Sequence, residues 1–320
     1  MMRVRRRRFE RQPQRQHRLS RPVISVGNLS MGGTGKSPVV AALARWLIDL
    51  GHRPAILSRG YARADAVDGV VVVSDGTAIR ATVEQSGDEP LMLARAVPGA
   101  IVCVSPDRYL SGVLAERQFG ATVHILDDGF QHLRLARDLD ILVTTIGEIP
   151  NGKVIPAGRL REPVDAAARA HLLVASDATA GAAASEAWQL GISQSCGAVR
   201  TIGTPVRCGG PEAAGGEPQA PVVAVAGIAN PERFVTSLRE AGWTVVDSMI
   251  FRDHHAFTRR DVDAIAAKVA ATGASAVFTT DKDAVRFEQL DVPFALYRIP
   301  LMVTFDPPDA MFDTVRAVLV

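Results

Sequence analysis

The sequence predicts an α/β protein: a parallel sheet covered by helices and built around a phosphate-binding loop of the P-loop NTPase kind, followed by a second, smaller α/β domain. Three observations carry that prediction. A β-branched run at 23–27 feeds the glycine-rich stretch Asn28-Leu29-Ser30-Met31-Gly32-Gly33-Thr34-Gly35-Lys36-Ser37, which ends where a helical pattern begins. Apolar strand-like runs alternate with helical patterns in both halves of the chain, as parallel sheets with helices on both faces require. Residues 208–220 hold four glycines and two prolines without apolar periodicity and read as a linker. The expected organisation is a basic lead at 1–21, a nucleotide-binding domain at 22–207, the linker, and a smaller domain at 221–320.

The glycine-rich stretch has a definite chemistry. Gly32, Gly33 and Gly35 let backbone N–H groups turn inward onto phosphate oxygens, with Thr34 among them, and the following helix adds its partial positive N-terminus. Lys36 then reaches the outer phosphates and the Ser37 hydroxyl is placed to hold Mg²⁺. The chain has Ser30 where the strict pattern asks for the first glycine. Only four lysines occur against 32 arginines, yet one occupies the position where a compact ammonium on a flexible stem is wanted.

Further along, 53–58 reads as a strand running into Ser58-Arg59-Gly60-Tyr61, and 69–74 as a short strand with a turn at Asp75-Gly76. Gly87-Asp88-Glu89-Pro90 opens a helix through about residue 96, with acids ahead of a proline in the first turn. Asp88 is either a simple helix cap or a functional carboxylate. Strands at 100–104 and 122–126 follow, the second ending in Asp127-Asp128-Gly129-Phe130-Gln131-His132. An apolar strand ending in Asp is the second thing a phosphate-loop protein needs, because a carboxylate must fix Mg²⁺ or its waters.

Residues 140–144 give another strand before a basic, turn-rich loop at 151–163, and 165–203 is an Ala-rich mixture of helix and strand. The second half repeats the alternation: strands at 221–226, 244–249 and 277–280, helices at 231–241, 259–272 and 281–290, and a closing helix from about residue 309. Phe251-Arg252-Asp253-His254-His255 stands just before a helix that Thr258 would cap. Two adjacent histidines beside an Asp mark a polar site.

Composition excludes several classes. Net charge is +2, but residues 1–21 hold nine arginines and one acid. That lead is either a solvated tail or an anionic-lipid contact; nothing aromatic is interleaved for nucleic acid. Cys103, Cys196 and Cys208 are scattered, without disulfide or zinc spacing. No apolar run approaches a membrane span, and the expectation is a cytoplasmic, monomeric protein.

Taken together these segments resemble the tetraacyldisaccharide 4′-kinases of lipid A biosynthesis. The likeness runs through Gly32-Gly33-Thr34-Gly35-Lys36-Ser37-Pro38, Ser58-Arg59-Gly60-Tyr61, Gly87-Asp88-Glu89-Pro90 and Asp127-Asp128-Gly129-Phe130-Gln131-His132. It continues through Pro156-Ala157-Gly158-Arg159-Leu160-Arg161-Glu162-Pro163, Ala226-Gly227-Ile228, Asp253-His254-His255 and Thr280-Asp281-Lys282-Asp283. The resemblance implies transfer of the ATP γ-phosphoryl group to the 4′-hydroxyl of an acylated glucosamine disaccharide 1-phosphate, giving lipid IVA. It implies Lys36 and Asp128 at the migrating group, and Mg²⁺ held by Ser37, Asp127 and Glu89. Asp88 is the implied general base, with His254 from the second domain orienting it. Asn28, Arg59, Tyr61, Arg108, His132, Arg161 and Glu162 are implied substrate contacts.

Two departures accompany the likeness. Family members usually begin with a hydrophobic helix that seats them on the inner membrane, whereas here the arginine-rich segment precedes the first strand. The expectation is peripheral attachment to the cytoplasmic face through an anionic surface, salt-sensitive in character. Asp281 stands where Glu is common. The rival reading, a P-loop GTPase or ATPase switch without a lipid acceptor, wants an [NT]-K-x-D segment, and Thr280-Asp281-Lys282-Asp283 has the wrong spacing.

Overall fold

A computed structural model describes residues 16–60, 69–211 and 220–319. The arginines before residue 16, Tyr61, and most of the expected linker lie outside those residues. In chain order the elements are β1 (Val23–Gly27), α1 (Lys36–Asp49), β2 (Pro54–Ser58), β3 (Val71–Asp75), α2 (Val83–Ser86), α3 (Asp88–Ala96), β4 (Ile101–Val104), α4 (Arg108–Phe119), β5 (Val123–Asp127) and β6 (Leu139–Thr145). They continue with a 3-10 helix at Val164–Arg169, β7 (Leu172–Ser176), α5 (Ala180–Leu190), β8 (Gln194–Ile202), β9 (Val206–Gly209), β10 (Val222–Ala226), α6 (Pro231–Glu240), β11 (Val245–Ile250), α7 (Arg259–Thr272), β12 (Ala276–Thr280), α8 (Asp281–Phe287), β13 (Leu296–Ile299), β14 (Leu301–Asp306) and α9 (Pro308–Arg316).

The chain forms two compact units, Met1–Arg200 with Val303–Val320, and Thr201–Met302. The boundary differs from the sequence expectation in two places. The last stretch of the chain returns to the first unit, where Phe312 of α9 stacks on Trp46 of α1 at 4.6 Å. A terminal amphipathic helix carries no sequence mark of which core will bury it. Val206–Gly209, partly inside the expected linker, is a strand instead: β9 pairs antiparallel with β13, so backbone pairing overrides its glycine-rich composition.

The first unit's sheet has the order β14-β8-β7-β6-β1-β5-β2-β4-β3. β1 pairs in parallel with β5 on one side and β6 on the other. The chain therefore lays β2, β4 and β5 on one flank of β1, then crosses to build β6, β7 and β8 on the other. That reversal at β1 is a topological switch point, and the crevice outside the carboxyl ends of strands at such a point is where open α/β sheets take ligands. β1, β2, β4, β5 and β7 are buried along their whole length, as central parallel strands covered on both faces must be.

The second unit holds the order β11-β10-β12-β13-β9, parallel except at its β9 edge. Phe234, Val235 and Leu238 of α6 pack on one face, and Val262 and Ile265 of α7 on the other. Thr258 caps α7 as expected, accepting from the Asp261 amide.

Candidate active site

The phosphate loop leaves β1 and enters α1 through Gly35, whose φ of 86° is a left-handed conformation that a side chain would strain. The loop is braced from inside. Asn28 Nδ2 donates to Thr34 Oγ1 at 3.0 Å, Gln131 Nε2 donates to the Asn28 carbonyl at 2.9 Å, and Ser176 Oγ donates to the Thr34 carbonyl at 2.6 Å. Asn28 is buried in this brace. Gly32 and Gly33 lie exposed, as groups that meet a ligand must.

Lys36, the first residue of α1, points to the end of β5. Its ammonium stands 3.4 Å from an oxygen of Asp128, and Arg161 Nη1 donates to the other oxygen at 2.7 Å. Asp128 has a φ of 54°, the left-handed turn that swings its side chain back toward the loop. Burial pushes its carboxyl up, but Lys36 and Arg161 outweigh that effect and leave it below the ordinary carboxylate range.

Asp127 is buried, with Ser58 Oγ 3.4 Å away. Burial, reinforced by the negative charges of Glu89 and Asp128, raises its carboxyl to about 7 against the pull of Lys36 and Arg108. Arg108 is buried too; desolvation brings its guanidinium down to about 10, with the attraction of Asp127 working the other way and Arg59 adding repulsion. These mutual fields bring Lys36, Glu89, Asp127, Asp128, Arg59, Arg108 and Arg161 into one polar cluster at the carboxyl end of the sheet.

Asp88 and Glu89 open α3. Asp88 is buried in the first turn of the helix, whose N-cap is Gly87 without a side-chain cap; one Asp88 oxygen accepts from the Glu89 amide at 2.9 Å, so it adjoins the cluster through its neighbour. His132 sits in the turn after Phe130, its carbonyl accepting from Arg137. Glu162 is placed differently from the expected substrate contact: only 1% exposed, it makes two hydrogen bonds with Arg169, at 3.0 and 3.1 Å.

Three residues that the sequence did not single out belong to the site. Ser176 braces the loop from the end of β7. Arg159 donates from Nε and Nη2 to the Met31 carbonyl at 3.1 and 2.7 Å. Arg200, ion-paired with Asp177, approaches Gly35. Nothing local marks Ser176 and Arg200, since each reaches the loop from a strand far along the chain, whereas Arg159 stands in the basic, turn-rich loop at 151–163.

The donor set suits a divalent cation held jointly with phosphate. Among the described residues no three His, Cys, Asp or Glu side chains form a ready-made cation site. Asp127, crowded by Glu89 and Asp128, is instead a carboxylate whose repulsion a cation would relieve, and magnesium is commonly bound by one or two carboxylates plus substrate phosphates.

In the second unit, His254 follows β11 with a φ of 59°. Its Nε2 lies 3.1 Å from Lys282 Nζ and its Nδ1 lies 3.4 Å from Arg286 Nη2. Arg286 in turn pairs with buried Asp283, which also accepts from the Gly227 amide at 2.9 Å. His255 is separate from this cluster, stacked on Phe251 and paired with Asp261.

A phosphate loop at a switch point, its lysine facing clustered carboxylates, defines a P-loop phosphotransferase. Comparison with known proteins narrows the class. The family model described as Tetraacyldisaccharide-1-P 4′-kinase matches residues 1–319. The tetraacyldisaccharide 4′-kinase of Pelobacter propionicus is 40% identical over 310 residues, covering 94% of this chain and 84% of that relative. That of Geobacter sulfurreducens is 43% identical over 275 residues, covering 84% and 75%. The crystal structure of LpxK from Aquifex aeolicus, described as in complex with ATP, superposes with a TM-score of 0.79 at 28% identity, covering 100% of this chain and 95% of that one. The chain belongs to the tetraacyldisaccharide-1-P 4′-kinase family: it is an enzyme, a kinase of lipid A biosynthesis, and the switch-protein alternative is set aside.

Proposed function

We propose that this chain performs its family's reaction, transfer of the ATP γ-phosphoryl group to the 4′-hydroxyl of an acylated glucosamine disaccharide 1-phosphate, with the residues gathered around β1 and β5. The observation that carries the assignment of roles is Lys36 set against Asp127, Asp128 and Glu89 at the mouth of the loop. Lys36 turns from Asp128 to the transferring phosphoryl group, and Arg161 keeps Asp128 in place as it does so. Ser37, Asp127 and Glu89 would hold Mg²⁺, which would neutralise charge on the phosphate oxygens. Little covalent chemistry is left for the protein in such a transfer, so positioning and charge stabilisation dominate.

Asp88 takes the proton of the sugar hydroxyl, a poor nucleophile for which general-base help contributes about 10²–10⁴-fold. His254 supports Asp88 in the general-base role, as the family resemblance implies. Arg59, Arg108 and His132 serve the acceptor's anionic and hydroxyl groups, and the same reading extends to Tyr61. Among the described residues no helix is long and apolar enough to cross a membrane. We place the enzyme peripherally on the cytoplasmic face of the inner membrane, where its acylated acceptor resides and where the arginines at 3–21 meet anionic headgroups.

The test is incubation of the purified protein with Mg²⁺, labelled ATP and a tetraacylated disaccharide 1-phosphate, followed by mass analysis of the lipid. A gain of one phosphate at the 4′ position is the expected result. ATP consumption with no change in the lipid would overturn the assignment.

A further inference from the structure

The loop that seals the phosphate loop carries an apolar rim that the core does not use. Residues 146–161 are anchored by Ile149 and Leu160, which lie in one buried cluster with Leu29 and Phe130. From that anchor Ile146, Val154 and Ile155 stand 43%, 36% and 45% exposed, and Met31 of the phosphate loop 53%. The two segments are tied together: Met31 N donates to the Arg159 carbonyl at 2.8 Å, and Arg161 N to the Leu29 carbonyl at 2.6 Å. Gly32 leaves room for the Arg159 guanidinium, which would lie 2.2 Å from a Cβ at that position.

Three aliphatic side chains and a methionine kept in water on two tied loops call for an apolar partner. The polar groups among them say which. Lys153 and Arg159 are exposed in the same loop, and Glu148 is the only acid between 146 and 161. Aliphatic side chains interspersed with basic ones fit a bilayer interface, where the apolar groups enter the acyl boundary and the cations meet anionic headgroups.

We infer that Met31, Ile146, Val154 and Ile155, flanked by Lys153 and Arg159, dock the first unit onto the surface of an anionic phospholipid bilayer. The inference rests on the lipid-kinase reading in taking the acceptor to reside in that bilayer, and it sets the phosphate loop at the membrane surface rather than leaving attachment to the arginines at 3–21 alone.

The test is sedimentation of the full chain with phosphatidylglycerol–phosphatidylethanolamine vesicles at high salt. Screening there removes most of the attraction due to exposed arginines and leaves apolar insertion intact. The double variant Val154→Asp, Ile155→Asp is expected to lose at least about tenfold in vesicle partitioning, whereas Trp188→Asp, an exposed apolar position on α5, is expected to partition like the wild type. Ile155→Trp, a conservative replacement, is expected to show a blue-shifted emission when vesicles are added.

Unchanged partitioning of the double variant, an equal loss in Trp188→Asp, or no spectral shift in Ile155→Trp would each overturn the inference. So would a double variant that partitions normally but has a raised KM for detergent-dispersed acceptor, because the rim would then hold acyl chains of the substrate. Turnover of the wild type on dispersed acceptor, measured alongside, tests the kinase reading by itself.

Discussion

The Lys36 ammonium stands 3.4 Å from a carboxylate oxygen of Asp128, so the phosphate loop's lysine is already charge-compensated before any phosphate arrives. A nucleotide therefore exchanges one anion for another at Lys36 rather than meeting a bare cation. The exchange suits a compact ammonium on a flexible stem and does not suit a planar guanidinium. Lys36→Met is expected to lower kcat by about 10²–10³-fold, the scale of removing one preorganised charge-stabilising donor. Lys36→Arg is expected to leave most of that loss in place. Steady-state kinetics of the two variants decide the matter, and near-full activity in the arginine variant would refute the exchange.

Asp127 gives a pH signature. Its carboxyl is raised from an ordinary 3.8 to about 7 by burial and by the neighbouring carboxylates. Between those values the folded chain binds a proton that the unfolded chain has released, so this group's contribution to stability is fully present below about pH 4 and is lost as pH rises toward 7. Melting temperature without ligands is expected to fall from pH 5 to pH 8 more steeply in the wild type than in Asp127→Asn, whose neutral amide carries no such burden. In the magnesium role proposed for Asp127, the same proton would have to leave before the cation binds. Apparent Mg²⁺ affinity in the presence of ATP is therefore expected to weaken by up to about tenfold per pH unit below 7. Parallel melting curves for the two proteins would remove this account of Asp127.

Much of this site was legible because its residues stand at element boundaries. The phosphate loop, the Asp127-Asp128 strand end and the Asp88-Glu89 helix start are places where periodicity stops and polar residues begin, and the structure puts each at the carboxyl end of a strand or the first turn of a helix. What the sequence hid is tertiary. Glu162 lies beside Arg161 in a loop, and its burial and bidentate contact with Arg169 are visible only in the fold. Arg159 and Ser176 reach the phosphate loop across more than a hundred residues; the basic loop around Arg159 shows in the sequence, but its target does not, and Ser176 leaves no local trace. Residues 208 and 209 read as linker because the short edge strand β9 to which they belong is specified by its neighbour β13 and not by its own composition.

Asp88 and His254 are assigned coupled roles, and mutant kinetics separate those roles from simple folding. Asp88→Asn is expected to keep ATP affinity while kcat falls by about 10²–10⁴-fold, the range of general-base help. His254→Ala is expected to lower kcat less, with its effect largely absent in the Asp88→Asn background, since a positioning residue has nothing left to position. Multiplicative losses in the double variant would show that His254 acts independently of Asp88.

The Glu162–Arg169 pair separates a structural role from a substrate role most cleanly. Both residues match motif positions or lie near them, yet Glu162 is buried against a largely covered Arg169, which also donates to the Phe130 carbonyl at 3.2 Å and lies 4.5 Å from the Phe130 ring centroid. Removing one partner leaves a buried charge without compensation, which destabilises a protein by about 3–5 kcal/mol, whereas replacing both with apolar groups of similar size is often near neutral. Glu162→Gln is thus expected to lower the melting temperature markedly while KM for the acceptor, measured well below that melt, stays close to the wild-type value. Glu162→Leu with Arg169→Met is expected to recover much of the lost stability. A raised acceptor KM in Glu162→Gln without a lowered melting temperature would return Glu162 to the substrate-binding set. The packing beneath the phosphate loop, where Phe130 and Leu160 share a core with Leu29, would then be held by apolar contacts alone.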